Sequence, residues 1–67
     1  MNRYTEDALG AYTIGGLDWE FGRYEETGAY YIKCLDYPAV RKLIYATKSE
    51  AHEIANDFIN EFLYNNK

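Results

Sequence analysis

The sequence predicts an α+β domain: a four-stranded antiparallel sheet in the order β-β-β-β-α, with one C-terminal helix packed on one face. Three observations carry this expectation. Residues Thr47–Tyr64 repeat apolar positions with the period of a helix. The segments before them alternate polar and apolar residues, or cluster aromatic and β-branched ones, as strands do. The breaks between those segments are short and rich in Gly, Asp and Pro, which suits antiparallel hairpins and not parallel crossovers.

Residues 1–9 are polar, and Thr5–Gly10 can form one helical turn stopped by Gly10 or a frayed arm. Ala11–Ile14 suits a strand, and Gly15-Gly16 signals a hairpin turn. Leu17–Phe21 alternates strictly, with Leu17, Trp19 and Phe21 on one face and Asp18 and Glu20 on the other. Gly22 interrupts the pattern and predicts a bulge or strong twist. After the turn Glu25–Gly28, Ala29–Leu35 forms a third strand with Tyr30, Ile32 and Cys34 inward and Tyr31 and Lys33 outward. Asp36–Ala39 turns the chain at Pro38, which has no amide to donate to a ladder. Val40–Ala46 is the fourth strand, with Leu43 and Tyr45 expected inward and Lys42 and Ile44 outward.

The helix has a clear start. Thr47-Lys48-Ser49-Glu50 is a T-x-x-E capping box, in which the threonine hydroxyl and the glutamate carboxylate satisfy each other's backbone amides. Ala51, Ile54, Ala55, Phe58, Ile59, Phe62 and Leu63 then form one apolar face. Glu50, Glu53, Asp57 and Glu61 line the opposite side.

With 67 residues the chain is expected to form one domain, residues 1–67, with a small core. Eight Tyr, three Phe and Trp19 supply the bulk that one helix cannot, and oligomerisation is the other way to close such a core. The net charge of −4 works against strong phosphate binding and against anionic membranes, and it permits a basic partner. A lone cysteine, Cys34, excludes an internal disulfide and suits a reducing cytoplasm. The amino terminus has no signal-peptide apolar core, and no apolar run reaches membrane-spanning length.

Signals for catalysis fail on inspection, so the chain is expected not to be an enzyme and to hold no metal or cofactor. His52-Glu53-Ile54-Ala55-Asn56 approaches H-e-x-x-H, but Asn56 stands where the second zinc ligand must be, and the chain has no other histidine. Cys34 with His52 lacks an orienting third group. Ser49, the only serine, stands at a helix start. Carboxylate pairs such as Glu25-Glu26 or Asp18 and Glu20 need a cleft that so short a chain can hardly build. The glycines match neither phosphate-binding pattern.

Function therefore has to come from surfaces. The helix acids span roughly 16 Å at ~1.5 Å per residue, or about 5–6 Å per charge, sparser than the ~3.4 Å per phosphate of a DNA strand. Imitation of nucleic acid then requires sheet acids such as Asp18, Glu20, Glu25 and Glu26 to join them. The second surface is the sheet face without a helix, expected to expose Tyr31, Lys33, Lys42 and Ile44 beside Asp18 and Glu20.

Residues 28–62, GAYYIKCLDYPAVRKLIYATKSEAHEIANDFINEF, resemble the arm-type DNA-binding domains of phage and transposon integrases. The similarity lies in the Tyr-rich hairpin, an aromatic two residues before a threonine (Tyr45, Thr47) and the Ser49-Glu50-Ala51 helix start. It implies a sheet face entering the major groove, with Tyr31, Lys33, Arg41 and Lys42 as the matching positions. The short, acidic, Tyr- and Asn-rich composition is also similar to small phage-encoded inhibitors of the anti-CRISPR type. That likeness implies docking on a basic groove of a host nucleoprotein complex.

The leading expectation is a cytoplasmic, non-enzymatic protein-binding module, monomeric or homodimeric. It would engage a basic host protein or nucleoprotein surface through Glu50, Glu53, Asp57, Glu61, Asp18, Glu20, Tyr31 and Lys33. The alternative is a DNA-binding accessory domain that uses the sheet face.

Overall fold

The computed structural model describes residues 5–65. It contains strands β1 (Glu6–Ile14), β2 (Leu17–Tyr24), β3 (Tyr30–Cys34) and β4 (Arg41–Ile44), followed by helix α1 (Lys48–Asn65). The strands form one antiparallel sheet in sequence order, β1-β2-β3-β4. α1 lies on one face, across β3 and β4, which is the α+β fold the sequence predicts.

The capping box forms as expected. The Glu50 amide donates to Thr47 Oγ1 at 3.3 Å, and the Thr47 amide and hydroxyl both donate to Glu50 Oε1, at 3.3 and 2.9 Å. The buried face of α1 is built on Ala51, Ala55 and Ile59. Two alanines one turn apart let the helix backbone approach the sheet closely, where it meets Trp19, Phe21, Ile32, Cys34 and Ile44. Phe62 packs edge-on against Trp19, with ring centroids 5.7 Å apart. The Trp19 indole is satisfied by donating to the Ile14 carbonyl at 3.2 Å. The hairpin between β1 and β2 closes through Gly15 and Gly16, both with positive φ (64° and 78°), the left-handed pair that a two-residue turn of this twist requires.

The structure corrects four expectations, three of them about strands and the last about Tyr31. First, the segment from Glu6 is not a helical turn or an arm. It belongs to β1, which reaches past Ala11 to pair with the whole of β2. Local propensity gives way here to the ladder that β2 offers.

Second, the irregularity signalled by Gly22 lies on the neighbouring strand. The β1–β2 register shifts between Ala8 and Gly10, opposite Gly22 and Phe21, so Leu9 is the extra residue. Side chains alternate with period two, so one extra residue reverses their facing. Gly10, Tyr12 and Ile14 share the helix side with Phe21 and Trp19, whereas Ala8 and Glu6 share the outer side with Gly22 and Tyr24. Without the bulge, Glu6 would point at the helix.

Third, β4 faces the other way and is shorter. Ile44 is 1% exposed and belongs to the core, while Leu43 and Tyr45 are exposed. Lys42 shares the helix side with Ile44 but stands exposed at the sheet edge. Residues 43–46 are all apolar, so alternation cannot orient them. The register with β3, Tyr30 opposite Ile44 and Lys33 opposite Arg41, decides the facing.

The outer face carries no helix, yet Tyr31 is fully buried there and not exposed as expected. Gly22 makes this burial possible. A β-carbon at Gly22 would lie within 2.6 Å of the Asp7 carbonyl oxygen and still closer to the Tyr31 hydroxyl. The ring therefore lies in the space a side chain would need. Gly22→Ala is expected to cost about 1–3 kcal/mol through overpacking. Urea denaturation checks this, and an unchanged midpoint at constant slope would show that Tyr31 is not held against the sheet.

Candidate functional site

Two surfaces follow from this fold, and they lie on opposite sides of the sheet.

The outer face is organised by Glu6, which the bulge aims at it. Lys33 donates to Glu6 Oε1 at 2.6 Å, and Arg41 donates to Glu6 Oε2 at 2.8 Å. The Tyr24 hydroxyl donates to the same Oε2 at 3.0 Å and accepts from Arg41 at 2.6 Å. Lys33 also lies 3.6 Å from Glu20 and 5.6 Å from the Tyr31 ring centre. Glu20 accepts from the Tyr31 hydroxyl at 2.6 Å. One carboxylate from β1 thus holds cations from β3 and β4, and together these groups roof Tyr31 and Tyr24, whose rings lie 5.0 Å apart.

The electrostatics follow from that geometry. The hydrogen bond from Lys33, aided by those from Arg41 and Tyr24, outweighs burial and holds the Glu6 carboxyl down to about 2, from an ordinary 4.5. Burial, with the Glu20 carboxylate beside it, pushes the Tyr31 phenol up. Hydrogen bonding to Glu6 raises both Lys33 and Arg41.

The other surface is the outward side of α1. At ~100° per residue, Glu50, Glu53, Asp57 and Glu61 fall within one narrow arc, and all four are exposed. Among the described residues, no lysine or arginine pairs with any of them; the ion pairs present belong to Glu6 and Glu20. The Glu50 carboxylate serves the capping box as well. Tyr64, 74% exposed, stands on the same arc three residues beyond Glu61. That position was legible from the spacing, but Tyr64 reads first as the end of the helix. Asn56 and Asn60 flank the arc and are exposed.

The residues expected to act together are therefore divided. Asp18 is exposed on the outer face, where it accepts from the Thr13 hydroxyl at 2.8 Å. Glu20, Tyr31 and Lys33 are locked in the network beside it. None of these joins the helix stripe. Lys33 and Arg41, two of the positions that match the integrase arm, have their charge engaged by Glu6, and Tyr31 offers no surface to a duplex.

Cys34 is fully buried in the core. His52 stacks on Phe21 with centroids 4.3 Å apart, at the rim of a groove of about 260 Å³ between α1 and β1. Among the described residues, no three of His, Cys, Asp and Glu come together in a way that could hold a metal ion. No described helix is long and apolar enough to cross a membrane. No protein-family model matches the chain, and no curated protein and no solved structure matches it.

The Glu6 network sets an acid limit on stability. Its folded-state pKa lies below the unfolded value, so its contribution is complete above about pH 4.5 and is lost as pH falls towards about 2. Glu6→Gln is expected to lower stability at neutral pH and to flatten the loss between those limits. Thermal melts across that range check this, and an equally steep loss in the variant would remove Glu6 as its origin.

Proposed function

We propose that the chain is a non-enzymatic protein-binding module that docks through the outward face of α1 on a basic groove of a nucleic-acid-handling complex. The observation that carries this reading is the division of charge. The described ion pairs use Lys33 and Arg41 on the outer sheet face, while Glu50, Glu53, Asp57 and Glu61 stand exposed in one line and, among the described residues, form no ion pair.

Four like charges on one helical arc repel one another, because glutamates four residues apart destabilise a helix in the absence of lysine partners. A basic surface relieves that repulsion and is steered to the stripe over a Debye length. Tyr64 at the end of the arc, with Asn56 and Asn60 beside it, supplies an aromatic and hydrogen-bonding groups of the kind that fix orientation once charge has brought two surfaces together. The line is sparser than phosphate and Asp18 and Glu20 do not join it, so it draws a basic groove by its charge and copies the phosphate spacing of a nucleic-acid strand only in part. In its narrower form, drawn from the compositional likeness, the module is an inhibitor of phage or mobile-element origin, similar to anti-CRISPR proteins, that occupies such a channel in a host cytoplasm.

The double reversal Glu53→Lys with Asp57→Lys tests this directly. Affinity capture from a bacterial lysate with the wild-type chain is expected to retain a nucleic-acid-handling complex that moderate salt or added polyanion displaces. The double variant is expected to bind that complex at least about tenfold more weakly, about 1.4 kcal/mol or more. Capture that is equal for both chains and insensitive to salt would sink the reading.

A further inference from the structure

We propose that β1 is a self-association edge, and that two copies of the chain pair antiparallel through Gly10–Ile14 to form one continuous eight-stranded sheet. The two edges of the sheet differ in how they are protected. β4 is only four residues long and carries Arg41 and Lys42. β1 is nine residues long, and from Ala8 to Ile14 it has no charge and no proline, the features that usually keep an edge from pairing. The bulge at Leu9 breaks the edge on one side and leaves Gly10–Ile14 as a regular run.

The backbone of that run has groups to offer. Ile14 and Leu17 close a two-residue turn, and such a closing pair exchanges its backbone bonds. By alternation, Ile14, Tyr12 and Gly10 direct their amides and carbonyls to β2, and Ala11 and Thr13 direct theirs to the open edge. A two-fold axis through Tyr12 sets Ala11 opposite Thr13 of the second copy, and each such pair exchanges two backbone bonds.

The side chains fit the same register. On the outer face, Ala11 meets Thr13, both small and uncharged. On the helix side, Tyr12 faces Tyr12 of the second copy. Ile14 comes opposite Gly10, where the Tyr12 ring folds back over the glycine with its hydroxyl end nearest and fills the space a side chain would take. Glu6 and Asp7 fall beyond the paired run, so no like charges oppose each other. The groove between α1 and β1, lined by Tyr12, Ile14, Phe21, His52 and Ile59, borders this edge. Tyr12 is 44% exposed in the single chain and is covered in the pair. A second copy is favoured over an unrelated strand because the run is complementary to itself about a single residue. The axis stands perpendicular to the sheet, so both helices lie on the same side. The pairing itself does not depend on the acidic stripe.

The test uses the full chain and light scattering coupled to size exclusion over a range of concentrations. The wild type is expected to reach the mass of two chains. Tyr12→Lys and Tyr12→Glu each place like charges across the axis, and each is expected to run as one chain; mixed in equal amounts, they are expected to regain the mass of two. Ala11→Pro, which removes an amide only the edge uses, is expected to give a folded single chain by Trp19 fluorescence. A wild type that stays a single chain at every concentration would overturn the proposal. So would variants that all keep the mass of two, which would point to another face. A mixture that stays single would overturn the register about Tyr12.

Discussion

A sheet covered by one helix has a second face to close, and here Tyr31 closes it by lying over Gly22. The ring is buried without any layer above it, because the glycine provides the depth and the Glu6 network provides the roof. The arrangement requires Glu6 to point outward, and that facing depends on the single extra residue at Leu9. Glycine, bulge and carboxylate thus form one device. The ion pairs within it matter less for their Coulomb energy than for holding three strands in register over an aromatic that would otherwise be wet.

The same device sorts the charge of the molecule. Lys33 and Arg41 are held on the outer face, Lys33 by Glu6 and Glu20 and Arg41 by Glu6, and among the described residues no cation pairs with the acids on the far side of α1. A surface with a line of acids in no described ion pair and a surface that holds the described ion pairs then sit back to back. The first suits long-range attraction to a basic partner, and the second serves stability. This division is why the helix, and not the sheet, carries the proposed contact.

The parts of this that were legible in the sequence are those encoded over a few adjacent residues. Thr47 and Glu50 announce the helix start, the period of Ala51 to Leu63 announces its buried face, and Gly15-Gly16 announces the hairpin. The facing of Leu17 to Phe21 follows from strict alternation, and that of Tyr30 to Cys34 from placing Lys33 outward. What could not be read depends on register between strands. Leu43-Ile44-Tyr45 is apolar throughout, so only its pairing with β3 assigns Ile44 to the core. Glu6 looks like part of a polar arm until the ladder with β2 brings it over Lys33 and Arg41, residues 27 and 35 positions away. Gly22 did signal an irregularity, but a glycine that accommodates a neighbour's ring and one that bulges look alike in one dimension. Tyr31 was expected outward and is outward; its burial depends on partners that no local pattern names.

Trp19 gives this protein an optical property of its own. It is the only tryptophan in the chain, it is fully buried, and it touches two elements at once, with its indole nitrogen on the Ile14 carbonyl and its ring against Phe62. Its emission therefore reports on the seam between the hairpin tip and the last turns of the helix. A blue-shifted spectrum marks a closed seam, and a red shift marks water entering it. Tyr64, at the end of the proposed docking face, lies two residues beyond Phe62. Events at that face have a short path to an intrinsic fluorophore and can be followed on the unlabelled chain.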